Sequence, residues 1–337
     1  MVMSWRKVGH SIGTRVLFYG GLLFVAWWWM LRMPGRSFDG PLHPLTAAES
    51  ELASRLSTDV HSLAGSIGER NVDGQPAQLA AAASFIERSF QESGYTVRSQ
   101  AYSVGSVTCR NLEAELRGTS RPADITVIGA HYDTVWGSPG ADDNASGVAV
   151  MLALARTFAA RPQARTLRFV AFANEEPPYF WKARMGSLVY ARECRARGDR
   201  VSAMLSLESV GVFSDAPRSQ RYPAGLGWFF PSTGNFVAMV GNLTSRALVR
   251  DALGAFRSTH SLPSIGAALP NSIPGVGWSD HWSFWQAGYH AIEITDTAPY
   301  RNPFYHTSDD IPDPLDYPRM ARFTAAMCRV VDAVAGN

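Results

Sequence analysis

The chain has 337 residues, and its 31 basic and 29 acidic side chains leave a net charge of +2, too balanced to give nucleic acid a field to follow. That length suits one large α/β domain with a small appendage. Three cysteines, Cys109, Cys194 and Cys328, lie far apart and in no C-x-x-C spacing, which excludes a zinc knuckle and a dithiol redox motif.

Arg6, Lys7 and Arg15 precede the uncharged stretch Val16–Leu31, which ends in Trp27, Trp28 and Trp29 ahead of Arg32. As a helix this stretch rises about 24 Å, slightly less than the roughly 30 Å of hydrocarbon in a bilayer. Three tryptophans suit a membrane interface, whereas signal cleavage wants small residues. An uncleaved membrane anchor over residues 1–33 is therefore expected, with secretion after signal cleavage as the alternative. Basic residues on the N-terminal side keep that end cytoplasmic and put the body on the exported side, periplasmic or extracellular.

Residues 34–45 read as a linker, and residues 46–337 as one domain. Leu52, Leu56, Val60 and Leu63 recur at helical spacing before Gly65 and Gly68, and a second helix is predicted from Gln78 to Glu92 with Gly94 after its end. Strands are predicted over Thr96–Tyr102, Asn111–Leu116, Ile125–Ala130, Leu167–Ala173, Ala203–Glu208, Phe236–Gly241 and Ala291–Thr295. Helices are predicted over Ser146–Ala159, Ser187–Arg197, Thr244–Phe256 and Tyr317–Val334. This alternation argues for a single three-layer α/β/α domain around a mixed, mostly parallel sheet. Ligands of such sheets bind at the carboxyl ends of the strands.

Those ends carry the chemistry. Ile125–Ala130 runs into His131 and Asp133, Leu167–Ala173 into Glu175 and Glu176, and Ala203–Leu207 into Glu208. Two adjacent carboxylates at a buried strand tip, stopped by Pro177 and Pro178, need a compensating positive charge, and metal is the commonest. His131 and Asp133 are one residue apart, so in an extended chain they project to the same side and Asp133 can accept the second N–H of a metal-binding imidazole. The loop Gly137–Ser146 holds Asp142 and Asp143, and spacing does not say which of them is a ligand. His131, His281, His290 and His306 are the histidine candidates, with His260 behind them.

The series His131-Tyr132-Asp133, Gly140-Ala141-Asp142-Asp143-Asn144-Ala145-Ser146-Gly147, Asn174-Glu175-Glu176, Leu205-Ser206-Leu207-Glu208, Ser279-Asp280-His281 and Tyr305-His306-Thr307 resembles the co-catalytic zinc aminopeptidases of the aminopeptidase Y type. Glutamate carboxypeptidase and glutaminyl cyclase are relatives of that family. The likeness implies two zinc ions, one on His131, Asp143 and Glu208 and one on Asp143, Glu176 and His306. It also implies a cis bond between Asp143 and Asn144, Asp133 as the acid behind the imidazole, and Glu175 as general base. Many relatives have Asp where this chain has Glu208. The expected activity is removal of N-terminal residues from peptides, with a water acidified between two ions about 3.5–4 Å apart.

A cyclase, a carboxypeptidase and a non-catalytic binding module are the alternatives on the same fold. A one-zinc cyclase is disfavoured by His131, whose counterpart the cyclase relatives lack. Two aromatic segments, 177–185 and 211–231, are expected to line opposite walls of an apolar pocket, which favours an apolar N-terminal residue in the substrate.

Overall fold

The computed structural model describes residues 18–22, 24–223 and 225–336. Helix α1 (Ala47–Val60) opens on a capping box in which Thr46 Oγ1 accepts the Glu49 N–H at 3.2 Å and the Glu49 carboxylate accepts the Thr46 N–H at 2.8 Å. It continues in wider turns through Ile67 and stops at Gly68, whose φ of +78° only glycine adopts freely. Helix α2 (Pro76–Glu92) follows, buried along Leu79, Ala82, Ile86 and Phe90.

Eight strands form one sheet: β1 (Val97–Val104), β2 (Val107–Leu116), β3 (Arg121–His131), β4 (Arg165–Phe172), β5 (Arg200–Glu208), β6 (Val237–Gly241), β7 (Ser264–Ala268) and β8 (Ala291–Thr295). Their order is β1-β2-β4-β3-β5-β8-β6-β7. The centre, β4-β3-β5-β8, is parallel, with antiparallel additions at β2 and β6. β7, parallel to β6, has no counterpart among the predicted strands, because Ser264–Ala268 is short and its residues small.

The remaining helices are α3 (Gly147–Phe158), α4 (Gly186–Arg197), α5 (Arg246–Arg257), α6 (His281–Gln286), α7 (Ala298–Arg301) and α8 (Tyr317–Ala335). Strand residues alternate between two cores. Ile128, Ala130, Phe169, Leu205 and Ile292 meet α1, α2, α3, α5 and α8, while Val127, Val170, Phe172 and Met204 meet α4 and α6. The three-layer architecture is that predicted. Because β3, β4 and β5 are parallel neighbours, the polar residues after them emerge together at one edge.

The expected anchor fares differently. Residues 1–17 and 23 lie outside the described residues, and no helix among those described is long and apolar enough to cross a membrane. Residues 24–31 are helical, but Trp27, Met30 and Leu31 turn inward onto Leu226, Ala267 and Leu269. A helix with one face packed on protein offers lipid only the other. The stretch 34–45 is tied to the domain as well: Arg257 donates to Pro34 O at 2.9 Å, and the Ser264 N–H donates to Ser37 Oγ at 2.8 Å.

Candidate metal centre

Three parallel strand ends and two loops converge. His131 is the last residue of β3 and Glu208 the last of β5, while Glu175 and Glu176 follow β4. Asp143 comes from the turn before α3, and His306 from the loop between α7 and α8. His131 Nε2 lies 3.2 Å from Asp143 Oδ1 and 3.2 Å from Glu208 Oε2. On the other side, His306 Nε2 lies 3.1 Å from Asp143 Oδ2 and 3.3 Å from Glu176 Oε2. Asp143 thus offers one oxygen to each group, and within each group the ligating atoms lie within 4.8 Å of one another.

These atoms fit metal better than each other. Asp143 Oδ1 and His306 Nε2 are buried and have no hydrogen-bond partner among the described residues, although oppositely charged groups stand beside them. Such atoms converging on common points are donor sets for a cation. Imidazole and carboxylate donors, without thiolate, suit zinc.

The surroundings hold each donor. Asp133 Oδ1 faces His131 Nδ1 at 3.5 Å and accepts the Glu175 N–H at 3.0 Å, while Oδ2 accepts the Glu176 N–H at 3.1 Å. Ser279 donates to Glu208 Oε2 at 2.7 Å, so the longer side chain at this position is braced where it reaches the site. Asp310, which sequence reasoning missed, accepts the N–H groups of Asp142 and Asp143 at 2.9 and 3.2 Å. The Asp143–Asn144 bond is cis, as the resemblance implied. Asn174, Ser209 and His306 have positive φ, a conformation non-glycine residues rarely adopt, and each is a candidate donor or adjoins a site glutamate.

The two aspartates left open by spacing are separated by their partners. Asp142 turns away, accepting the Gly211 N–H at 2.9 Å and an N–H of Asn302 at 2.9 Å. Of the histidines, His281 is fully buried with Nε2 on Val276 O at 2.8 Å, and His290 and His260 are exposed elsewhere.

Arg70 is the other residue sequence reasoning missed. Its side chain is wholly buried beneath the carboxylates and donates to the carbonyls of Tyr132 (2.6 Å), Gly68 (3.0 Å), Pro139 (2.6 Å) and Gly140 (3.0 Å). Burial pulls its pKa down to about 10 against the pull of Asp133, Asp310, Asp143 and Glu176, so it stays a cation. In the sequence it reads as one more loop arginine.

Electrostatics divide the acids. Burial, with Glu176 and Glu208 nearby, pushes Glu175 well above the usual carboxylate range, against the pull of His131. Burial also raises Asp143, but the adjacent imidazoles of His131 and His306 outweigh it and hold that carboxyl below its usual range. Burial also lifts Glu176, beside Asp143, to about 7 and raises Glu208, so of the four acids only Asp143 is held low, and the raised basicity of Glu175 suits a proton acceptor.

Trp181 donates to Gly277 O at 2.9 Å and lies 5.8 Å from Trp282, with Phe180 stacked on it at 4.9 Å, so the rings of the first aromatic segment pack against the 277–282 stretch. The second packs in a cluster that includes Val276 and Trp285. Tyr222 and Phe230 stack at 5.7 Å, and they pack with Leu226 against Ala267 and Val240 at the sheet edge.

The sequence profile described as peptidase family M28 matches residues 111–331. The uncharacterized protein YfbL of Escherichia coli strain K12 is 38% identical over 253 residues, covering 72% of this chain and 77% of that one. Aminopeptidase YwaD of Bacillus subtilis is 28% identical over 190 residues, 56% of this chain but 36% of that longer protein. Among solved structures, BSAP, a zinc aminopeptidase from Bacillus subtilis, superposes with a TM-score of 0.68 at 16% identity, covering 85% of this chain and 95% of that one. A glutaminyl cyclase from Fimbriiglobus ruber superposes with a TM-score of 0.60 at 18% identity, covering 90% and 99%. At these identities the structural matches establish the fold alone.

Proposed function

The chain belongs to peptidase family M28, and from that premise we propose that it is an aminopeptidase with two zinc ions. His131, Asp143 and Glu208 would hold one ion, and Asp143, Glu176 and His306 the other. The observation that carries this reading is the double use of Asp143, each of whose oxygens faces a different donor group. When bound, zinc supplies Lewis-acid polarisation of the scissile carbonyl and lowers the pKa of water.

The protein supplies the rest. Glu175 is the general base: it sits next to a ligand, is not one itself, and has raised basicity. It takes a proton from the attacking water onto a carboxylate oxygen and delivers it to the nitrogen of the leaving amine. Asp133 orients His131 and fixes the backbone of both glutamates. The Phe180, Trp181 and Trp282 cluster supports a preference for an apolar N-terminal side chain. The order Arg6, Lys7, Arg15 and then apolar sequence supports a domain held at a membrane.

The test is a panel of aminoacyl substrates, N-blocked peptides and N-terminal glutaminyl peptides, assayed with and without chelator. Release of free N-terminal residues, abolished by chelator and restored by zinc, is expected. Release only from the carboxyl end, or formation of pyroglutamate, would overturn the reading.

A further inference from the structure

One exposed surface has no part in the peptidase reading. Trp228 stands 92% exposed at the tip of the turn Leu226–Phe230, and Phe229 is 55% exposed beside it. The turn is rooted, with Leu226 buried and Phe230 stacked on Tyr222, whose hydroxyl donates to Pro231 O at 2.6 Å. An aromatic pair held out on a firm stem is not a core that failed to close.

That pair continues into the N-terminal helix. Trp27 stacks on Phe229 at 5.2 Å with the rings 13° apart, and the outer side of the same helix exposes Phe24, Val25, Trp28 and Trp29. Arginines frame it. Arg32 lies 4.4 Å over the ring of Trp28 and Arg246 4.3 Å over that of Trp29, and Arg246 and Arg250 also donate to the carbonyls of Trp29 (2.9 Å) and Arg32 (2.7 Å). Charge is one-sided in both segments. The first carboxylate of the chain is Asp39, and residues 216–231 carry Arg218 and Arg221 but no Asp or Glu.

Contiguous exposed aromatic surface marks an interaction site. Tryptophan beside arginine is the chemistry of the headgroup level of a bilayer, and arginine without carboxylate matches anionic lipid. We infer that Leu226–Phe230 and the outer face of residues 24–29 form one surface that seats the domain on an anionic membrane. The N-terminal helix thereby lies along the interface, its inner face on the protein and its outer face in lipid. The body makes a second contact of its own through Trp228 and Phe229.

The test uses the full chain with Cys328→Ser and Phe229→Cys carrying an environment-sensitive fluorophore, and a matched protein labelled at Arg117→Cys beyond the opposite end of the sheet. With vesicles of phosphatidylglycerol and phosphatidylcholine in equal parts, the label at position 229 is expected to be quenched by lipid-borne nitroxide and shielded from aqueous iodide, with neither effect at position 117. Joint Trp228→Ser and Phe229→Ser replacement in the unlabelled chain should weaken vesicle partitioning about tenfold or more. Iodide access at position 229 undiminished by vesicles, or undiminished partitioning of the double variant, overturns the inference. Shielding at 229 in the absence of lipid, accompanied by a larger particle in light scattering, overturns it in favour of self-association. Peptidase activity is not read in any arm, so failure here leaves the proposed reaction standing.

Discussion

Asp133 Oδ1 accepts the backbone N–H of Glu175 at 3.0 Å. The same oxygen faces His131 Nδ1 at 3.5 Å, so one carboxylate couples the orientation of an imidazole donor to the position of the proposed base. Asp133→Asn leaves a single acceptor oxygen and turns an NH2 group toward either the imidazole or an amide N–H. A loss of about 10–100-fold in metal affinity or kcat is expected, as for other acids behind metal-binding histidines. Zinc content after dialysis and kcat read it, and a rise in KM alone would assign Asp133 to substrate binding instead.

Glu175→Gln preserves shape and removes the proton acceptor. Bound zinc should match that of the parent, while kcat falls by about 10²–10⁴, the usual worth of a general base. Loss of metal along with activity would make Glu175 a ligand rather than a base.

Asp143 and His306 make different demands on metal stoichiometry. Asp143→Ala takes an oxygen from both donor groups, whereas His306→Ala takes a nitrogen from the group containing Glu176 and leaves the His131 and Glu208 group intact. Metal analysis should find both ions weakened in the first variant and one retained in the second. Equal losses in both would mean that the two groups do not bind independently.

The strand-end donors were legible because each apolar run of the central sheet stops at a polar residue, and parallel neighbours must bring those stops to one edge. His131, Glu175, Glu176 and Glu208 follow from that pattern. Asp143 does not, since Asp142 and Asp143 share one loop and only the folded partners, Gly211 and Asn302 for Asp142, turn one of them away. His306 comes from a loop with no periodicity, and it was one of four candidate histidines until the resemblance singled it out. Arg70 and Asp310 left no signal, because a buried counter-ion and a surface loop charge look alike in sequence. The partners of the second aromatic segment were hidden for a related reason: Tyr222, Leu226 and Phe230 pack against β7, a strand whose small residues concealed it.

Arg70→Met tests the counter-ion. The substitution keeps length but strips four short hydrogen bonds to carbonyls, among them Tyr132 O and Pro139 O at 2.6 Å each, and leaves the acids above without their buried cation. Breaking a buried charge of this kind costs about 3–5 kcal/mol. Urea unfolding of the metal-free variant should show that loss, and an unchanged midpoint would reduce Arg70 to a spectator.

His281 predicts a pH dependence that owes nothing to metal. Burial pushes its pKa down to about 4, with the hydrogen bond to Val276 O only partly opposing. Glu293 Oε2 stands 4.0 Å from Nε2, but burial and then Glu208 raise that carboxyl well above its usual range, so it offers little anionic charge to hold a proton on the ring. Between pH 6.5 and about 4 the unfolded chain binds a proton at this histidine that the folded chain does not. The contribution is therefore full above the unfolded value and is lost as pH falls toward the folded one, about 3 kcal/mol for a shift of this size. His281→Gln keeps an N–H for Val276 O and removes the titration. The stability difference between parent and variant should shrink or reverse in favour of the variant across that window as pH falls, and parallel curves would show that His281 titrates as it does in the unfolded chain.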